Sequence, residues 1–183
     1  MHHYCILLLA YLFTGVTISQ TTQINTIPVS FGVPEIAILK IQPSTEPVVL
    51  SLETITEAGN AISGKSIRNN DKWINYSSSI IPDGVTRSIT VEILSGSVPL
   101  GTEITLTTGY YSGNGKGKLG TPLDEIALSN YPQKILTGIG GGYTKTGSNN
   151  GHSLTYDIKI KNYDLLKFET DKTLFISYTI TDD

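Results

Sequence analysis

Apolar and polar residues alternate along most of this chain with a period of two, the spacing at which one strand face is buried and the other wet. The pattern runs through Val48–Glu53, Trp73–Ser77, Arg87–Ile93, Glu103–Thr107, Lys134–Thr137, Ser153–Ile160 and Leu174–Ile180. It puts Ile89, Val91 and Ile93 on one face, Leu154, Tyr156, Ile158 and Ile160 on another, and Leu174, Ile176, Tyr178 and Ile180 on a third. Glu35–Ile41 (EIAILKI) reads as a further strand, apolar enough to be covered on both faces. Pro82-Asp83-Gly84, the group Gly96, Pro99 and Gly101, Asn114-Gly115 and Asn150-Gly151 supply turns between them. Helical periodicity is confined to one turn within Asn162–Phe168. The expected fold class is all-β: a two-sheet antiparallel β-sandwich, Ig-like or jelly-roll in connectivity.

The first residues break the alternation. Ile6–Thr14 (ILLLAYLFT) is uncharged and apolar, and small residues follow it to Ser19. That is the pattern of a secretory signal peptide, too short for the roughly 20 residues of a membrane span. The expected organisation is a signal peptide at 1–19, an extended segment at 20–32 and one domain at 33–183, secreted or on the cell surface, with periplasmic transit in a Gram-negative host. Cys5, the single cysteine, precedes the apolar stretch, which disfavours a lipoprotein anchor, and would leave with the signal. The mature domain then has neither disulfide nor thiol and depends on its core. A net charge of −3 with interspersed signs gives no footprint for nucleic acid, and no second apolar run suggests a membrane span.

Several motifs match only by letter. Gly59–Ser66 (GNAISGKS) satisfies the P-loop pattern, but no amphipathic helix pattern follows to present its amides to phosphate. Gly115–Gly120 (GKGKLG) satisfies the dinucleotide pattern, yet leads into Thr121-Pro122 and reads as a loop. His152, the one histidine past the signal, reads as an exposed loop residue. One histidine makes no His-rich zinc site, and no nucleophile elbow accompanies it. The carboxylates are scattered, and Asp182-Asp183 reads as a solvated end. No catalytic group, cofactor or metal is therefore expected, and a two-carboxylate hydrolase ranks last.

Two glycine-rich stretches, Gly109–Gly120 and Gly138–Gly151, read as long surface loops. Tyr110, Tyr111, Asn114, Tyr143, Asn149 and Asn150 in them are candidates for stacking on and hydrogen-bonding a glycan. Trp73 has two readings, core on its strand or a stacking surface for a sugar, and Asn75-Tyr76-Ser77 fits the glycosylation sequon.

Val33–Ala37 (VPEIA), Thr56–Gly59 (TEAG), Trp73–Tyr76 (WINY), Gly138-Ile139-Gly140 and the closing Ile176–Thr181 (ISYTIT) resemble small secreted Bacteroidetes proteins of unassigned activity. More distantly the chain is similar to the spore-coat-protein-U and archaic chaperone–usher pilin group, which often carries a disulfide that this chain cannot form. That resemblance implies an Ig-like sandwich and assembly by β-augmentation, in which one subunit's extended segment fills a neighbour's open edge. The candidate donor is Gln20–Val29: Ile27 and Val29 alternate, Ile24 is out of phase, and Pro28 must sit where no ladder donor is needed. An ordinary first strand or a disordered terminus is the alternative. The expected function is surface assembly, with self-association or other surface proteins as partners, and a carbohydrate-binding or adhesive module as the alternative.

Overall fold

The computed structural model describes residues 26–62, 69–82, 84–169 and 172–183. The signal segment, Cys5, Ile24, residues 63–68 with the second half of the P-loop match, and Asp83 lie outside them. The chain divides into two compact units, Met1–Val33 and Pro34–Asp183.

The second unit is all-β and antiparallel, with nine strands among the described residues: β1 (Ile36–Gln42), β2 (Asn69–Ser79), β3 (Arg87–Ser95), β4 (Thr102–Ser112), β5 (Lys116–Pro122), β6 (Ile126–Ala127), β7 (Gln133–Tyr143), β8 (Gly151–Ile160) and β9 (Phe175–Asp182). One 3-10 turn, Tyr163–Leu165, falls where the sequence predicts a single helical turn. The strand order is β6-β4-β8-β2-β7-β3-β9, with β1 added to β2 and β5 to β7.

That order explains the sandwich. β2 pairs with β8 over Asn69–Ile74 and with β7 at Ser77 and Ser78, so it passes from one half of the sheet to the other. β7 and β8 are consecutive in sequence, yet β2 lies between them. β2 and β3 then share one edge of β7, because β5 occupies the opposite edge at both Gly142 and Ile139. The turn from β4 to β5 makes a second passage, β4 lying beside β8 and β5 beside β7.

The core follows the alternation. Ile89, Val91 and Ile93 from β3 meet Leu154, Tyr156 and Ile158 from β8, with Ile74, Leu106, Leu136 and Ile139 between. Burial of each such aliphatic chain is worth about 1.5–3 kcal/mol. Leu174, Ile176, Tyr178 and Ile180 pack against this cluster half-buried, as the margin of an edge strand does. Tyr156 and Tyr178 join their hydroxyls, and burial pushes the Tyr156 hydroxyl up to about 12.

Four expectations are corrected here. β1 is not covered on both faces: Ala37, Ile38 and Lys40 are exposed, since among the described residues β1 is an edge strand with its ladder to β2 alone. Val48–Glu53 forms no strand, although Val48, Leu50 and Leu52 still turn toward the core. The glycine-rich stretches are not loops throughout: strands β4, β5 and β7 take up most of them, leaving turns at 113–115 and 144–150. Gly117 of β5 pairs with Gly142 of β7, and a Cβ on Gly117 would run into the Gly141 carbonyl. Glycine here permits a close strand approach that no side chain would allow. The G-x-G-x-x-G match is accordingly strand β5.

Candidate functional site

The two glycine-rich stretches bring their turns together. Gly113, in the turn from β4 to β5, abuts Asn149 and Asn150 in the turn from β7 to β8, and Gly115 abuts Tyr143 and Thr144. Most of the chain's unusual side chains gather around this corner, where β2 passes between the halves.

His152 is its hub. It is not an exposed loop residue: it stands on β8 with 0% of its surface accessible. Its Nδ1 lies 2.9 Å from the Gly109 carbonyl of β4, and its Nε2 3.0 Å from the Leu119 carbonyl of β5. The Tyr76 hydroxyl of β2 lies 3.3 Å from Nε2 and also donates to the Leu119 carbonyl. Tyr76 stacks on the imidazole at 6.1 Å between centroids, and Tyr111 meets it edge-on at 5.9 Å. Burial pushes the imidazole pKa down, while the two carbonyls pull it up by favouring the cation. Burial likewise raises the Tyr76 hydroxyl, with Tyr111 adding to the shift. A neutral ring has one N–H and donates to one of the two carbonyls, while the Tyr76 hydroxyl donates to the Leu119 carbonyl. The cluster thus joins β2, β4, β5 and β8 without a formal charge. It is enclosed, so His152 cannot reach a substrate as a base.

Asn75 and Thr144 fasten the outside of the corner. The Asn75 carboxamide accepts from the Gly147 amide at 2.9 Å and donates to the Asn150 carbonyl. Thr144, 0% exposed, donates its backbone amide to the Tyr76 carbonyl at 3.0 Å and accepts the Tyr76 amide on its hydroxyl at 2.9 Å. These bonds satisfy β2 at the point where its neighbour changes from β8 to β7. They also correct the sequon: Asn75 is buried and its amide is engaged, so the folded chain offers no glycosylation site there.

The candidate ligand residues divide into two kinds. Tyr110 is exposed and Tyr143 is exposed at the end of β7, as are Asn114 and Asn149 in the turns. Tyr111 and Asn150 are structural instead. Tyr111 donates its hydroxyl to the Thr144 carbonyl at 3.3 Å and accepts the Gly115 amide, while Asn150 donates to the Thr146 carbonyl at 3.2 Å.

Sequence reasoning misses a trough beside the same corner, lined by Pro43, Glu46, Asn70, Asp71, Trp73, Ser148 and Asn149, with a volume of about 470 Å³. Trp73 is neither core nor fully exposed: it is half-buried and turned to this trough. The buried Lys72 ammonium holds one wall, donating to the Pro43 carbonyl at 2.7 Å and to the Glu46 carbonyl. Asn75 holds the other through the Gly147–Asn150 turn.

A second join lies at Arg87, 3% exposed, where β1, β2, β3 and β9 meet. Its Nη1 donates to the Ile36 carbonyl, to the Ser79 carbonyl at 3.1 Å and to the Ser78 hydroxyl at 3.3 Å. Nη2 pairs with Glu35, and Nε with Asp182 at 2.7 Å. Asp183 pairs with Lys134 at 2.8 Å, and that hydrogen bond holds its carboxyl below the usual range. The terminal acids are therefore ion-paired, not simply solvated.

Among the described residues no three His, Cys, Asp or Glu side chains group as metal ligands, and no helix is long and apolar enough to cross a membrane. Comparison with family models, with curated proteins and with solved structures found no match.

Proposed function

We propose that this protein is an exported structural subunit that joins copies of itself at the cell surface by strand donation, with no catalytic role. The observation that carries this reading is the segment before the domain. Ile27, Val29, Phe31 and Val33 are 84%, 80%, 92% and 81% exposed, and they recur at every second residue. Four large apolar side chains in strict alternation, open to water, have the pattern of a strand without its sheet. In an extended chain the odd residues would turn their backbone groups to a ladder on one side. Pro28, which has no N–H, would face away with Ser30 and Gly32, as a strand proline must.

An acceptor of matching length supports the same reading. The donor spans seven residues, while β9 offers eight and, among the described residues, pairs in its ladder only with β3. Its inward Ile176, Tyr178 and Ile180 are half-buried, an apolar margin that an added strand would cover. Long edge strands of this kind associate unless they are blocked. Strand donation is also what the resemblance to pilin-like subunits implies.

Light scattering behind size exclusion tests the proposal over a range of concentrations. The expected result is mass rising with concentration for the native chain, while Phe31→Asp and Val29→Asp give folded monomers. A native chain that stays monomeric, or variants that assemble equally well, would overturn it.

A further inference from the structure

We propose that the Trp73 trough is a binding site for a neutral sugar, distinct from the assembly segment and independent of it. Three chemistries converge there. Trp73 supplies a half-buried indole, the surface on which the C–H face of a pyranose stacks. Glu46 and Asp71 supply carboxylate acceptors for ring hydroxyls, and hydrogen bonds to charged acceptors are the stronger kind. Asn70 and Asn149 supply amides, which both donate and accept. At about 470 Å³ the trough falls within the ~300–1,000 Å³ of small-ligand clefts.

The site is built as well as lined. Both walls are held by side chains of β2 that are themselves buried: Lys72, 5% exposed, and Asn75, 3% exposed. Asn149 is fixed in a left-handed conformation, φ 61°, which asparagine tolerates better than most residues. Such preorganisation lowers the ordering cost of binding.

The donor set chooses among ligand classes. Two carboxylates with no cation in the lining disfavour a phosphate, sulfate or acidic sugar. A quaternary ammonium would satisfy the indole and the carboxylates but leave the donors of Asn70, Ser148 and Asn149 idle. A neutral polyol engages donors, acceptors and the aromatic face together.

Trp73 is the chain's one tryptophan, so its emission reports on this site alone. The protein is titrated with glucose, galactose, mannose, N-acetylglucosamine, cellobiose and lactose, and separately with choline. At least one sugar is expected to shift the emission saturably, with calorimetry giving the same affinity. Asp71→Asn removes a charged acceptor from an exposed residue and should weaken binding by about tenfold or more. Asn149→Gly keeps the backbone conformation while deleting the amide, and should weaken it too. Both variants should melt with the native protein, and Tyr110→Ala, outside the trough, should bind normally. Failure of every sugar, binding that survives both substitutions, or a response to choline alone would overturn the assignment.

Discussion

The two places where the half-sheets are joined are built in opposite ways. At the His152 corner the join is neutral and enclosed, with Tyr76, Asn75, Thr144 and His152 meeting backbone groups in a network without formal charge. At Arg87 the join is a buried cation whose carboxylate partners are open to water, Glu35 at 54% and Asp182 at 61% exposure. The corner joins the turn from β4 to β5 with the turn from β7 to β8, whereas Arg87 draws together the start of β1 and the end of β9, at opposite ends of the domain. A neutral network must be fully satisfied to be stable. An ionic clamp with wet partners tolerates loss of a carboxylate far better than loss of the cation, because water replaces the one and not the other.

The largest loss is expected at Arg87 itself. Arg87→Leu leaves the Ile36 and Ser79 carbonyls without their donor, and each polar group stranded in this way costs about 1–3 kcal/mol. The exposed carboxylates can rehydrate, so the carbonyls set the loss, about 3 kcal/mol in all. Urea unfolding should show the midpoint falling at constant slope. A loss below about 1 kcal/mol would mean that the guanidinium is not what ties β1 to β9.

At the corner, Asn75→Ala is expected to cost about 2 kcal/mol, the penalty for stranding a buried polar group. Its signature is local. Hydrogen exchange at the Gly147 amide should speed up well before the core strands respond, since the turn loses the side chain that holds it. Uniform acceleration across β7 and β8 would instead make Asn75 part of the global fold.

A subtler distinction comes from pH. His152 has its pKa lowered in the fold, chiefly by burial, from an ordinary value of 6.5. Below that value the unfolded chain takes up a proton that the folded chain resists. The stabilisation is thus complete above about pH 6.5 and is lost as pH falls toward the folded pKa. The melting temperature should drop between pH 7 and pH 5, and His152→Gln should flatten that part of the profile. An unchanged slope in the variant would assign the effect elsewhere.

Where the sequence is legible, one signal dominates locally. Period-two alternation locates β3, β4, β8 and β9 because polar or less buried positions separate their apolar ones, and Ile89, Val91, Leu154 and Tyr156 are core as it predicts. It fails for β5, whose Gly117 and Gly120 hide the alternation because their reason for being small is the strand beside them. His152 is illegible for a related cause. Its neighbours Asn149, Asn150 and Gly151 look like a loop, and the carbonyls that bury it come from residues 33 and 43 positions away. The trough is hidden similarly, since Pro43, Trp73 and Asn149 meet only through pairing of β1 and β8 with β2. Val33 and Phe31 continue the alternation of Ile27 and Val29, and that signal was present in the sequence beyond the segment's Gln20–Val29 core.

The smallest losses are expected at the two carboxylates that face Arg87. Glu35→Gln and Asp182→Asn each remove a charge from a carboxylate more than half exposed, and such pairs are worth about 0.2–1 kcal/mol. Each single variant should therefore lose less than 1 kcal/mol, and salt should lessen the difference from native because exposed charges are screened. The double variant is the informative one. With either acid present the guanidinium keeps an anionic partner; with both neutral it keeps only carbonyls, a hydroxyl and amide oxygens. Its loss should then exceed the sum of the singles, measured as a cycle of urea midpoints at low salt. Simple additivity would mean that water already balances Arg87, and that its backbone bonds alone hold β1 and β9 together.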